Sequence, residues 1–209
     1  MNLLTKKIIL DSTNDISVLK NTKEERIKVI LLNEHIFIKV FKITKGENSE
    51  KKIDELIKNM FSIDKPLVHY ERIWVTGKCY LIVYLIRCDK RFERLIRGKK
   101  SFKLILEDLI LSRYISLNKI RIVISSMKDS LKIKAYFRCK LVSLKIVREE
   151  NYIADIKEEL DKIKNVFEIN IEKFDLIVPK EYISENFSEN FKGANIKEAR
   201  GDKYLYSKV

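Results

Sequence analysis

The densest set of groups able to act on another molecule is basic. Lys90-Arg91, Arg94, Arg97 and Lys99-Lys100 fall in one short stretch. The three-residue arginine spacing sets Arg91, Arg94 and Arg97 on one helical face beside Phe92, Leu95 and Ile96. Such a face serves one of three ends: solvation, docking of an acidic protein or of lipid headgroups, or contact with a nucleic-acid backbone. Solvation is the preferred reading and docking the second. Nucleic-acid binding comes last, because no helix-turn-helix, zinc finger or aromatic ribonucleoprotein motif accompanies the charge. For docking, the residues that carry the contact are Arg91, Arg94, Arg97, Lys99 and Lys100.

Other chemistry is sparse. The two histidines, His35 and His69, sit in strand-like runs and lie at metal-ligand spacing to no Cys, Asp or His, so no metal site is expected. The three cysteines, Cys79, Cys88 and Cys139, are odd in number and lack a Cys-x-x-Cys spacing, which excludes a disulfide framework and a zinc knuckle and fits a reducing compartment. Their apolar strand contexts make them packing residues rather than nucleophiles. No Gly-x-Ser-x-Gly elbow, Walker loop or dinucleotide fingerprint occurs. Trp74, beside Tyr70 and Tyr80, is read as a core residue ahead of an exposed aromatic anchor.

These residues need a scaffold, and the composition allows one. Of 209 residues, 45% are apolar, enough for a sizeable core in one large domain or two coupled ones. Five Gly and two Pro leave no obvious flexible linker. The formal charge of +13 reflects a chain rich in lysine, much of it alternating with apolar residues as solvated strand faces. The longest apolar run, Tyr80 to Ile86, falls far short of the roughly 20 residues that span a bilayer, so the chain as given is expected to be soluble.

Lys119 to Arg148 reads as an antiparallel meander, with Leu131, Ile133, Ala135 and Phe137 on one face and Lys132, Lys134 and Tyr136 on the other. Lys7 to Lys20 carries a similar β-turn-β pattern. Setting Ile8-Ile9-Leu10 over Ile122-Val123-Ile124 aligns Ser12 with Ser126 and Asp15 with Asp129, as a two-fold repeat would. Between them the periodicity predicts strands at Arg26–Leu32 and His35–Ile43 and a helix from Ser49, its N-cap, to Phe61. A hairpin over Thr76-Gly77 follows, its second strand buried on both faces, then the basic helix ending at Gly98. Next come a strand at Phe102–Leu106 and a helix from about Asp108 to Ile115. After the meander the pattern gives an amphipathic helix capped by Asn151, short β runs at Phe167–Ile171 and Phe174–Val178, a helix over Lys180–Phe191, and a polar tail with an edge strand around Tyr204–Tyr206. Mixed sheets with intervening helices predict an α/β architecture.

This element order resembles the cytoplasmic actin-like proteins of type IV pilus and type II secretion assembly platforms, the PilM and GspL cytoplasmic-domain family. The resemblance covers most of the chain and rests on pattern rather than on a diagnostic motif. It implies a degenerate actin-like (ribonuclease H-like) fold of two βαβ-type halves with mixed sheets. Residues 1–116 form the first half, with a small inserted α/β subdomain at about 33–88, and residues 117–209 the second. In an actin-like ATPase each half opens with an acid at its strand end and a small-residue turn that cradles phosphate. Asp11, Ser12 and Thr13 resemble the first such turn without its glycine, and Ser125 and Ser126 stand in the second without an acid. Val178-Pro179-Lys180-Glu181 replaces the glycine turn expected at adenine, and a proline without N–H opposes close backbone approach. The expectation is a vestigial site with no cofactor and no turnover.

What the resemblance then implies is a non-enzymatic cytoplasmic adaptor at the inner face of the membrane. Its partners would be the tail of an inner-membrane platform protein and the secretion or pilus ATPase, with indirect membrane association, no specific nucleic acid, and a homodimer as a further option. The alternatives are a basic nucleic-acid-binding protein and an actin-like nucleotide switch. A partner groove is expected around the first opening unit and the inserted subdomain.

Overall fold

The computed structural model describes residues 6–11, 26–32, 36–60, 66–86, 101–106, 108–109, 119–184 and 187–199, with the first, second and fifth of these segments described as backbone. Strands β1 (Lys6–Asp11), β2 (Arg26–Leu32) and β6 (Ser101–Leu106) make a parallel sheet in the order β1-β2-β6, with Ile8 opposite Val29 and Val29 opposite Leu104. Their near-continuous apolar sequences suit parallel strands, which are commonly covered on both faces.

A second sheet, β3-β5-β4, is antiparallel and built from β3 (Ile36–Ile43), β4 (Leu67–Val75) and β5 (Lys78–Ile86). The β4–β5 hairpin turns at Thr76 (φ 48°) and Gly77 (φ 76°), the left-handed pair that matches strand twist in tight hairpins. Helix α1 (Ser49–Met60) lies on one face, where Ile53, Leu56 and Ile57 pack against Leu81, Val83, Leu85, Phe37 and Phe41. The opposite face of β5, Tyr80, Ile82, Tyr84 and Ile86, joins the main core, so this strand is buried on both faces as its sequence predicts. The α1 cap differs from expectation. Asn48 Oδ1 accepts from the Glu50 amide at 2.9 Å, whereas Ser49 is already helical and its hydroxyl accepts from Arg72 at 2.9 Å.

The third sheet has five strands in the order β11-β10-β7-β8-β9. Strands β7 (Ile120–Met127), β8 (Ser130–Phe137) and β9 (Lys140–Val147) form the expected meander, with a register shift at Ala135/Tyr136. Strands β10 (Phe174–Val178) and β11 (Ala194–Glu198) extend it in parallel beyond β7. Helix α2 (Tyr152–Phe167) covers one face, placing Ile156, Ile163 and Phe167 in the same core as Ile122, Ile133 and Leu176. The parallel triplets β1-β2-β6 and β7-β10-β11 repeat one topology, and β1 and β7 hold the same place in it.

Several expectations are corrected. β1 pairs in parallel with β2, as β7 does with β10, while the second arm of the expected β-turn-β unit, at 16–20, lies outside the described residues. Phe167 ends α2 instead of opening a strand, and the chain leaves the helix through Glu168 in the left-handed region (φ 54°). The helix read over Lys180–Phe191 is replaced by 3-10 turns at Lys180–Tyr182 and Phe187–Asn190. The edge strand expected around 204–206 lies outside the described residues, and the tail adds a strand that was not expected, β11. It is reached through Gly193 (φ +82°), where an added Cβ would sit 2.0 Å from the Glu172 carbonyl oxygen.

Candidate functional site

Strand β7 carries the second of the two turns at which an actin-like fold would hold phosphate. Ser125 and Ser126 lie within the strand, opposite Lys132 and Leu131, and the turn falls at Lys128-Asp129. Their backbones are therefore committed to a ladder rather than to a phosphate cradle. Ser126 donates its hydroxyl to Glu181 Oε1 at 3.3 Å. Glu181 belongs to the 3-10 turn after β10, which Tyr182 fastens by donating to Glu149 Oε1 at 2.6 Å and by accepting at its carbonyl from the Tyr152 hydroxyl at 2.8 Å. A carboxylate thus faces the serine, and its charge opposes an incoming phosphate. Asp11 ends β1 opposite Leu32, while Ser12 and Thr13 lie outside the described residues.

The face of β7 and β8 turned away from α2 is polar and buried. Lys132 donates to Asp108 Oδ2 at 2.6 Å, and Lys134 lies 2.9 Å from Asp108 Oδ1, with all three side chains almost inaccessible. This corrects the reading of these lysines as a solvated strand face. Burial alone would push the Asp108 carboxyl up, but the ammonium groups of Lys134 and Lys132 outweigh it and hold the carboxyl below its usual range. Farther along the same face, Asp175 accepts from Asn195 at 2.9 Å and from Arg121 at 3.0 Å, with Lys197 at 3.6 Å. Burial raises this carboxyl, and those donors bring it net below the usual range. Both clusters spend their cations on the protein's own carboxylates.

Where β3 meets β9 and α2, a cleft of about 90 Å³ is lined by Ile38, Val40, Val142, Ser143, Lys162 and Val166. A cleft of that size holds a few waters rather than a peptide. Arg91, Arg94, Arg97, Lys99 and Lys100, with His35 and Cys88, lie outside the described residues. Among the described residues no group of His, Cys, Asp and Glu could hold a metal ion, and no helix is long and apolar enough to cross a membrane. Cys79 and Cys139 are half-buried and form no disulfide. His69 stacks on Tyr84 at 5.6 Å and approaches Glu71 at 4.0 Å.

The aromatic surface that the sequence ranked second to core packing is on β4. Trp74 is 62% exposed, against the core role expected for it, whereas neighbouring Tyr80 is fully buried. Val68, Tyr70, Arg72 and Trp74 stand opposite Leu85, Val83, Leu81 and Cys79 and so share the α1 face of the sheet. Helix α1 covers the β3 and β5 part of that face and leaves Val68 and Tyr70 at 40% and 46% exposure. The even-numbered alternation was readable in the sequence. The position of β4 at the sheet's edge was not, because nothing local to the strand encodes which strands flank it.

No protein-family model and no curated protein matches the sequence. Solved structures do match in shape. A Bacteroides thetaiotaomicron protein with an actin-like ATPase fold and unknown function is 14% identical over 92% of this chain and 79% of its own, with a TM-score of 0.53. The cytoplasmic domain of EpsL, an inner-membrane component of the type II secretion system of Vibrio cholerae, is 10% identical over 98% of this chain and 93% of its own, with a TM-score of 0.51. The PilM–PilN type IV pilus biogenesis complex matches at 10% identity over 90% of this chain and 73% of that one, with a TM-score of 0.50. The fold is actin-like α/β, and its structural neighbours include the assembly-platform proteins that the element order resembles.

Proposed function

We propose that this chain is a non-enzymatic cytoplasmic adaptor of a type II secretion or type IV pilus assembly platform, working at the inner face of the membrane. It would link an inner-membrane partner's tail to the assembly ATPase. The observation that carries the reading is the actin-like fold shared over nearly the whole chain with the EpsL cytoplasmic domain. The Ser126–Glu181 pair at the phosphate-turn position speaks for a scaffold rather than a nucleotide switch. The division at residues 116 and 117, the inserted unit at about 33–88, and docking of an acidic partner surface on Arg91, Arg94, Arg97, Lys99 and Lys100 belong to the same proposal.

In-cell cross-linking followed by purification tests it. Recovery of an assembly ATPase with an inner-membrane partner is expected, and recovery of neither overturns the reading. Magnesium with ATP at millimolar concentration is expected to leave the melting temperature unchanged, since a ligand that binds the folded state raises it. A rise would return the nucleotide-switch reading.

A further inference from the structure

Strand β4 is a nine-residue edge strand, bonded to β5 on one side and to no strand on the other among the described residues. Long apolar edges are normally blunted by charge, bulge or cover, because their free N–H and C=O groups template pairing with another chain. Here the edge is regular, and Val68, Tyr70 and Trp74 project from it side by side at high exposure. Its charges are positive in balance. Glu71 is held by Lys140 at 2.5 Å and by the Tyr84 hydroxyl at 3.1 Å, whereas Arg72 is exposed with no carboxylate partner among the described residues.

We propose that β4 is a docking edge for an extended segment of a partner protein, apolar along one face but for a carboxylate opposite Arg72, which adds as a fourth strand to β3-β5-β4. Ladder bonds to β4 would supply sequence-independent affinity. On the α1 face, apolar side chains would lie against Val68, Tyr70 and Trp74, and a carboxylate at the position opposite Arg72 would meet its guanidinium. A second copy of this chain fits less well. An antiparallel β4–β4 pair overlapping along its full length about a two-fold axis would set Glu71 against its own copy. The proposal gives the adaptor reading a partner chemistry and rests on it only in expecting a partner.

Trp74 is the only tryptophan, so fluorescence excited on the red edge, beyond tyrosine absorption, reports on this surface. The probe is an acetylated, amidated peptide as long as β4, with valine at the positions that face Val68, Tyr70 and Trp74, glutamate at the one that faces Arg72 and threonine elsewhere, titrated into the full chain. Saturable blue-shifting of the emission is expected, with affinity about ten-fold or more above that of the lysine peptide, which has lysine in place of that glutamate. N-methylation of the glutamate peptide's ladder-facing amides is expected to abolish binding. By calorimetry, Tyr70→Ala with Trp74→Ala is expected to weaken binding about ten-fold or more while the far-ultraviolet spectrum stays unchanged. Arg72→Gln is expected to erase the preference for glutamate over lysine.

No shift with the glutamate peptide, equal affinity for the lysine peptide, or full binding by the N-methylated peptide would each overturn the proposal. A concentration-dependent blue shift without peptide, with a dimer in sedimentation, would also overturn it and assign the edge to a second copy. If peptide binding fails while the ATPase is recovered in cells, the β4 proposal alone falls. If the peptide binds and no ATPase is recovered, the adaptor reading alone falls.

Discussion

Asp108 is the residue on which the buried polar face depends. Replacing its carboxylate by the amide of Asn removes the Asp108 charge that lies 2.6 Å from the buried ammonium group of Lys132 and 2.9 Å from that of Lys134. Removing one member of a buried ion cluster costs about 3–5 kcal/mol, so Asp108→Asn is expected to lower the melting temperature steeply, and a Tm within error of the parent would contradict the account. The same group sets an acid limb. Its folded carboxyl is held down, so the stability it gives is complete above the ordinary aspartate value of about 3.9 and is lost as pH falls through the lower folded value. Glu168 behaves alike at the surface, where hydrogen bonds from Lys42 (2.7 Å) and Lys78 hold its carboxyl at about 2. Carboxyl NMR is expected to show Glu168 titrating near 2 in the parent and higher in Lys42→Ala. An unmoved titration would remove Lys42 as a cause. The sequence displays all of these charges but not their pairing, because Asp108 and Lys132 meet only when separate elements pack.

Among the elements, the β8–β9 hairpin pays a backbone penalty that its sequence conceals. Arg138 (φ 49°) and Cys139 (φ 60°) occupy left-handed conformations that Asn and Gly adopt with less strain. The double change Arg138→Asn with Cys139→Gly is expected to stabilise by about 1 kcal/mol in chemical denaturation, and destabilisation would show that side-chain contacts of these residues outweigh the strain. Gly193→Ala should act in the opposite sense. A Cβ there meets the Glu172 carbonyl oxygen at 2.0 Å and a positive φ, so β11 is expected to detach, with early hydrogen exchange in residues 194–198. Exchange as slow as in the parent would refute this. Elements with strong local signals were legible in the sequence: the Thr76-Gly77 hairpin, the meander and the core of α2. The 3-10 turns at Lys180–Tyr182 and Phe187–Asn190 were not, because Tyr182, Phe187 and Phe191 read as the apolar markers of a helix and packing uses them otherwise. Tyr182 stacks edge-on against Tyr152 (5.7 Å), while Phe187 and Phe191 sit in the core 5.2 Å apart.

At the scale of the molecule, one residue joins three units. The Phe167 ring meets Tyr80 of the β3-β5-β4 sheet edge-on at 5.0 Å and Phe137 of the meander at 5.1 Å, and its carbonyl accepts from the Tyr80 hydroxyl at 3.4 Å. Phe167→Ala is expected to cost about 3–5 kcal/mol and to split a single unfolding transition in two, as the β3-β5-β4 sheet loses its seat on α2. A single transition at the parent's midpoint would show that the shared core does not depend on this junction. The sequence by itself determined an α/β chain of actin-like element order, strands whose two faces differ, and a β5 apolar enough to be covered twice. The tertiary structure alone decided which faces are covered. Strand β8 lies inside a sheet enclosed on both sides, so its lysine face went inward with Asp108. Strand β4 lies at an edge beyond the reach of α1, so its aromatic face stayed open. Alternation along a strand records that the two faces differ, but the layer that covers a face comes from residues far away in sequence.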